Sequence, residues 1–273
     1  AEMESWKENI INRVLATHPQ DVLDIGVGTG RFMYPLLPQV HSYTGIDISE
    51  NVINLHRKLA STINAKVSFY HLTADRVDEV NNLQYFDCIL MNSVCQYFPS
   101  IKYLEKVVFK ALAKLKANGY IIIGDVRDYA LHYELIKEKL AFNQDQYSER
   151  DIENAMLKEN ELLISPEYFL QLARINKSIK VDILEKEDKY INELSRYRYD
   201  VVIKLVEANE PVADVPCIDD FDHNNFDSLV SNNTSAFYLS KIKNWNLDNL
   251  CDPFIYQGLA LKYNFQYKVF HFS

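Results

Sequence analysis

The stretch VLDIGVGTG, residues 22–30, limits what this chain can fold into more than any other. A short apolar run of the kind that forms a buried strand stops at three glycines in alternate positions, Gly26, Gly28 and Gly30. A strand that runs straight into such a loop, ahead of alternating strand and helix patterns, predicts a parallel sheet with a ligand at its carboxyl edge. Glycine suits that junction because the backbone must turn sharply and approach a ligand closely, which a side chain would obstruct.

The spacing narrows the ligand. The dinucleotide fingerprint G-x-G-x-x-G needs a third glycine at position 31, which is Arg31, and no Gly-Lys-Ser/Thr follows as a Walker loop requires. Asp24, two residues ahead of the glycines, would repel a pyrophosphate. S-adenosylmethionine carries no phosphate and offers an ammonium, a sulfonium and a carboxylate. Asp24 then serves the cationic part, while Gly26, Gly28 and Gly30 admit backbone to the methionine portion. Asp47, at the end of the second strand, is placed to accept both ribose hydroxyls, with Ile48 beside it. A degenerate NAD or purely structural fold is the competing reading.

Strand and helix alternate along the first half. Trp6, Ile10, Val14 and Leu15 mark a helix, DVLDI (21–25) a strand, and a short helix after Arg31 is cut off by Pro35 and Pro38. SYTGID (42–47) is a second strand. Ser49 then caps a helix whose expected apolar face is Val52, Leu55, Leu59 and Ile63. KVSFYHL (66–72) and YFDCILM (85–91) are strands. A helix opened by Ser100 carries Ile101, Leu104, Val107, Val108, Ala111, Leu112 and Leu115 on one side, and Gly119 suits its left-handed end. YIIIGDV (120–126) is a fifth strand.

Two or three helical stretches follow between 129 and 176, with Tyr129, Tyr133, Phe142 and Tyr147 reading as pocket lining or core. SIKVDIL (178–184) and YRYDVVIKLV (197–206) then form a hairpin, and the tail ends in the strand-like FQYKVFHF. The organisation expected is a cofactor-binding core over 1–128 and a helical lid or acceptor platform over 129–177. The last strands of the sheet occupy 178–206, and 207–273 form an appendage.

Composition excludes several classes. The net charge of -9, with no dense Lys/Arg block, is wrong for tracking phosphates, so nucleic acid is not expected as a partner. No apolar run approaches the ~20 residues of a spanning helix and no signal peptide opens the chain, so no membrane association is expected. Cys88, Cys95, Cys217 and Cys251 form no C-x-x-C pair or metal-ligand spacing, which suits buried thiols in the reducing cytoplasm and no bound metal. The first residue is Ala1 rather than Met, as in a piece cut from a longer protein.

VLDIGVGTG and GIDIS resemble class I methyltransferases. More specifically, MNSVCQYFPSIKYLEKVV, GDVRD and NELSRYRYDVVI resemble the methyltransferase domains embedded in nonribosomal peptide synthetases, and EMESW and ELLISPEYFLQLA are similar to the same family. The tail after residue 206 resembles it more loosely, and Val27 stands where relatives often carry cysteine. The resemblance implies an α/β, Rossmann-like fold: a seven-stranded, mostly parallel sheet with an antiparallel last strand and helices on both faces. It also implies N-methylation of an aminoacyl or peptidyl group held as a thioester on a carrier protein, with neighbouring synthetase domains as partners. Related branches methylate carbon or oxygen.

Further positions fall at the same sheet edge. Ala74 and Asp75 follow the third strand, where a carboxylate meets an adenine amino group or is simply solvated. After the fourth strand, Asn92 and Ser93 serve the methionine end of the cofactor and Gln96 and Tyr97 face the acceptor, or all four cap the next helix. Asp125 and Arg127 orient the acceptor or form a structural ion pair. Glu193 and Tyr197 lead into the last strand as acceptor-side residues or as part of a solvated turn. Three functions remain distinct: a methyltransferase for a tethered aminoacyl group, a free-standing enzyme for a small molecule, and a scaffold that keeps the fold without turnover.

Overall fold

The computed structural model describes residues 2–206 apart from 61–65, 82, 144–145 and 187–189, together with the backbone of 217–218 and 238–239. Seven strands form one sheet: β1 (Asp21–Ile25), β2 (Ser42–Asp47), β3 (Lys66–His71), β4 (Phe86–Asn92), β5 (Leu115–Arg127), β6 (Ile179–Glu185) and β7 (Arg198–Leu205). Their order is β3-β2-β1-β4-β5-β7-β6, with β7 antiparallel to both neighbours and the remaining pairs parallel. After β1 the chain builds outward to β2 and β3, then returns to place β4 on the other side. The carboxyl ends of β1 and β4 therefore flank the crevice where such sheets bind ligands.

The alternation of β1 separates two cores. Leu23 and Ile25 face a core shared with α4 (Ile101–Leu112) and α7 (Pro166–Ile175), while Val22 faces one shared with α1 (Glu2–Leu15), α2 (Met33–Leu36) and α3 (Glu50–Ala60). Asp24 shares the Val22 side by the two-residue period of a strand. The helical pair α5 (His132–Asn143) and α6 (Glu149–Leu157) buries only His132, Leu135 and Ile152, and the short α8 (Glu193–Arg196) leads into β7.

Several expectations are corrected. In α3 the buried residues are Ile53 and His56, whereas Leu55 and Leu59 are exposed, because the helix is turned to seat His56 over the sheet. The other member of the expected apolar face, Ile63, lies outside the described residues. The helix expected to run through Leu115 ends at Leu112: Leu115 already pairs with Phe86 in the sheet. Asn118 (φ 61°), not Gly119, takes the left-handed conformation; a Cβ on Gly119 would lie 2.9 Å from the Lys116 carbonyl. Of the three helices within 129–177, α7 places Phe169 and Leu172 in the main core and so is a sheet-covering crossover, leaving α5 and α6 as the added layer. Tyr129 and Phe142 are exposed rather than core. The strand expected in FQYKVFHF lies outside the described residues.

Candidate active site

The β1–α2 loop is the left-handed backbone its glycines allow: Gly26, Gly28 and Gly30 have φ of 80°, 49° and 77°. A Cβ on Gly26 would sit 2.5 Å from Val94 Cγ2, so the β4 loop packs directly on that glycine. At Gly28 a Cβ would meet nothing nearer than the Gly26 carbonyl at 3.8 Å, and the loop there presents bare backbone to open space. Asp47 steadies this segment: its Oδ2 accepts from the Gly28 N–H at 3.0 Å and its Oδ1 from the Ser49 N–H at 2.8 Å. Ile48, next to it, is 72% exposed at the edge of the crevice.

Asp24 lies under the loop, buried, with Tyr43 Oη donating to it at 2.7 Å. Burial pushes its carboxyl up to about 7, against the Tyr43 hydrogen bond and with a contribution from Asp47. Asp75 is no solvated loop carboxylate. It accepts from Thr73 Oγ1 at 2.7 Å, Tyr103 Oη at 3.0 Å and Lys106 Nζ at 2.7 Å, which tie the Ala74–Glu79 turn to α4 and hold its carboxyl well below the usual range.

On the β4 side, Asn92 Nδ2 donates to Ser93 Oγ at 3.0 Å, and Ser93 (φ 55°) donates to Asp125 Oδ2 at 2.7 Å. A Cβ on Gly124 would overlap Asn92 Oδ1, so Gly124 is what admits that amide. Asn92 Oδ1 and Gln96 Oε1 are buried acceptors with no hydrogen-bond partner. Tyr97, by contrast, is 71% exposed at the mouth.

Asp125 and Arg127 do not pair with each other. Asp125 (φ 68°) is met by Arg198 at 2.8 Å, Lys186 at 3.4 Å and Trp6 Nε1 at 3.3 Å, and its own N–H donates to Asp200 at 2.8 Å. Burial works against its charge, but Lys186 and Arg198 keep the carboxyl below its ordinary range. Asp200 in turn pairs with Lys186 and Arg13, so α1, β5 and β7 meet in one buried ionic cluster. Arg127 reaches the other way, to Glu159 at 2.9 Å and Glu161 at 2.7 Å just beyond α6. Glu193 is held by Lys139 and Arg198, and Tyr197 is buried.

The carboxyl ends of β1, β2 and β4 thus carry the three glycines, Asp47, Asn92, Ser93 and Gln96, with Asp24 buried beneath the loop, whereas Asp75 is tied to α4, Arg127 to the segment after α6 and Glu193 to α5. The missed residue is His56, whose buried ring reaches the glycine loop; a histidine amid an otherwise ordinary helix gives no sequence signal for that. Fit to S-adenosylmethionine rests on the bare backbone at Gly28, which a ligand can approach without meeting a side chain, and on the buried Gln96 Oε1, an acceptor with no hydrogen-bond partner.

A sheet in this order with this loop defines a class I methyltransferase. Residues 23–121 match the family described as a methyltransferase domain, and the chain is an S-adenosylmethionine-dependent methyltransferase. It is related to nonribosomal peptide synthetases. It is 36% identical over 215 residues to the nonribosomal peptide synthetase TES of Alternaria alternata, covering 75% of this chain and 4% of that one. To chondramide synthase cmdD of Chondromyces crocatus it is 34% identical over 214 residues, covering 75% and 5%. To the beauvericin nonribosomal cyclodepsipeptide synthetase of Beauveria bassiana it is 31% identical over 216 residues, covering 75% and 7%. The chain therefore spans a small fraction of these relatives' length. Among solved structures, the plantazolicin methyltransferase BamL, in complex with S-adenosylhomocysteine and a triazolic desmethylPZN analog, shares the fold. Its TM-score is 0.54 at 18% identity, covering 76% of this chain and 87% of that one. The N-methyltransferase NodS of Bradyrhizobium japonicum aligns with TM-score 0.51 at 12% identity, covering 74% and 97%.

Proposed function

We propose that the chain methylates the nitrogen of an aminoacyl or peptidyl group tethered to a carrier protein, as one domain of a cytoplasmic nonribosomal peptide synthetase making a secondary metabolite. The observation that carries this reading is the likeness to synthetases over three quarters of the chain, while the chain accounts for only a few per cent of each. S-adenosylmethionine supplies a methyl group on a sulfonium for in-line displacement, and most of the protein's task is to align the nucleophile and exclude water.

The residues divide that task. Asp47 and Ile48 hold the ribose, Ala74 and Asp75 border the adenine, and Gly26, Gly28 and Gly30 with Asp24, Asn92 and Ser93 serve the methionine end. Gln96 offers its unpartnered Oε1 to an acceptor N–H, with Tyr97 at the mouth. Asp125 positions Ser93 through its 2.7 Å hydrogen bond, and Arg127 positions the segment that follows α6. Glu193 and Tyr197 close the same side from the start of β7. Burial opposes the charge of Glu193, but Lys139 and Arg198 hold its carboxyl below the usual range, which makes it a weak base. An amine beside a thioester already has a lowered pKa, so the reaction does not require a strong one.

The test is incubation with methyl-labelled S-adenosylmethionine and either an aminoacyl-loaded carrier protein or free amino acids. Label on the loaded carrier supports the reading. Label on free compounds alone points to a small-molecule enzyme, and cofactor binding without transfer to any acceptor points to a scaffold.

A further inference from the structure

His56 lies in the second turn of α3, 1% exposed, with its ring stacked on Phe69 of β3 at 5.0 Å between centroids and 18° between planes. Its Nε2 is 2.8 Å from the Gly28 carbonyl. A carbonyl oxygen only accepts, so Nε2 carries the proton and donates. The same ring touches a second glycine: a Cβ on Gly30 would lie 3.0 Å from His56 Cε1. Gly28 is thus gripped at both ends, its N–H by Asp47 at 3.0 Å and its carbonyl by His56.

That grip sets a direction. In a trans peptide the carbonyl and the following N–H point oppositely. Holding the Gly28 carbonyl toward α3 therefore turns the Thr29 N–H away from α3. Gly28 has the widest latitude of the three, since it lacks a side chain and no atom but the Gly26 carbonyl lies near its missing Cβ. Without a donor beneath it, this peptide is free to rotate at the position where backbone must face the ligand.

We propose that His56 is a positioning residue for the cofactor: by donating to the Gly28 carbonyl it fixes the glycine loop in its binding conformation. It touches no reacting atom. The role rests on the loop's binding S-adenosylmethionine and is independent of the acceptor's identity.

The test compares His56→Gln with His56→Met, two unbranched replacements of similar length, one keeping an amide donor and the other lacking any. S-adenosylmethionine binding is measured by calorimetry, with thermal unfolding of each variant free of cofactor as the stability control. His56→Met is expected to bind about tenfold more weakly, the loss of one buried neutral hydrogen bond. His56→Gln is expected to recover most of that affinity at a similar unfolding midpoint. In turnover, the change is expected in KM for S-adenosylmethionine rather than in kcat. Equal affinity in the Met variant and wild type overturns the proposal, as does equal loss in both variants. A wild type that does not bind overturns the cofactor reading along with it.

Discussion

At the residue scale, the loop owes its shape to a few atoms with no room to change. Gly26→Ala meets both a φ of 80° and a Val94 methyl at 2.5 Å. It is expected to destabilise by about 2 kcal/mol or more. Adding Val94→Ala should return the steric part and leave the backbone part, as read from denaturant midpoints; no recovery would mean the clash is not what matters. Asp24 gives a pH signature. Its carboxyl sits near 7 in the folded protein against an ordinary 3.8, chiefly through burial. The folded state therefore binds that proton more tightly than the unfolded chain does, and stability is lost as pH rises from 3.8 through about 7. Asp24→Asn removes the penalty, so its thermal midpoint should exceed wild type at pH 8, by up to roughly 4 kcal/mol of folding free energy. The advantage should fade toward pH ~4. A midpoint at or below wild type at pH 8 would contradict this placement of the carboxyl.

At the element scale, strands were more legible than helix faces. DVLDI, SYTGID and KVSFYH are strands within a residue of their expected bounds because short apolar runs between turn residues have few alternatives. The buried face of α3 is hidden in the sequence because Leu55 and Leu59 carry more hydrophobicity than His56. The helix nevertheless turns inward on a ring that both stacks on Phe69 and bonds the loop. The early start of β5 was hidden in a sequence that continues the apolar face of α4 through Leu115, and only pairing with Phe86 decides between them. The segment that follows α6 is tied to the sheet by Arg127, almost fully buried, which joins the strand end to Glu159 and Glu161. Arg127→Met should remove the cation shared by the two carboxylates and destabilise by about 1 kcal/mol, since Glu159 keeps its bonds from the Asn160 and Glu161 N–H groups and Glu161 reaches solvent. Hydrogen exchange should quicken across 132–157 while the sheet stays protected. Uniform loss of protection would instead make Arg127 a support of the whole fold.

At the scale of the molecule, the glycine spacing and Asp24 together sorted the ligand class, since they concern neighbouring residues on one strand and loop. The acceptor side was far less legible. Its residues come from the turn after β4, the end of β5 and α8 with the residue that follows it, and their partners, such as Asp125 with Lys186 and Arg198, are brought together only by the fold. Asp125 and Arg127, adjacent at one strand end, turn to different clusters, which no local pattern announces. S-adenosylmethionine is expected in the crevice between β1 and β4, held by the glycine loop and Asp47. Calorimetric titration of wild type and Asp47→Ala with S-adenosylmethionine tests that directly. Wild type should bind with one site per chain, and Asp47→Ala should bind more weakly by ~1–3 kcal/mol, the cost of leaving hydrogen-bonding groups without a partner. Absence of binding by the wild type, or unchanged affinity in Asp47→Ala, would contradict it.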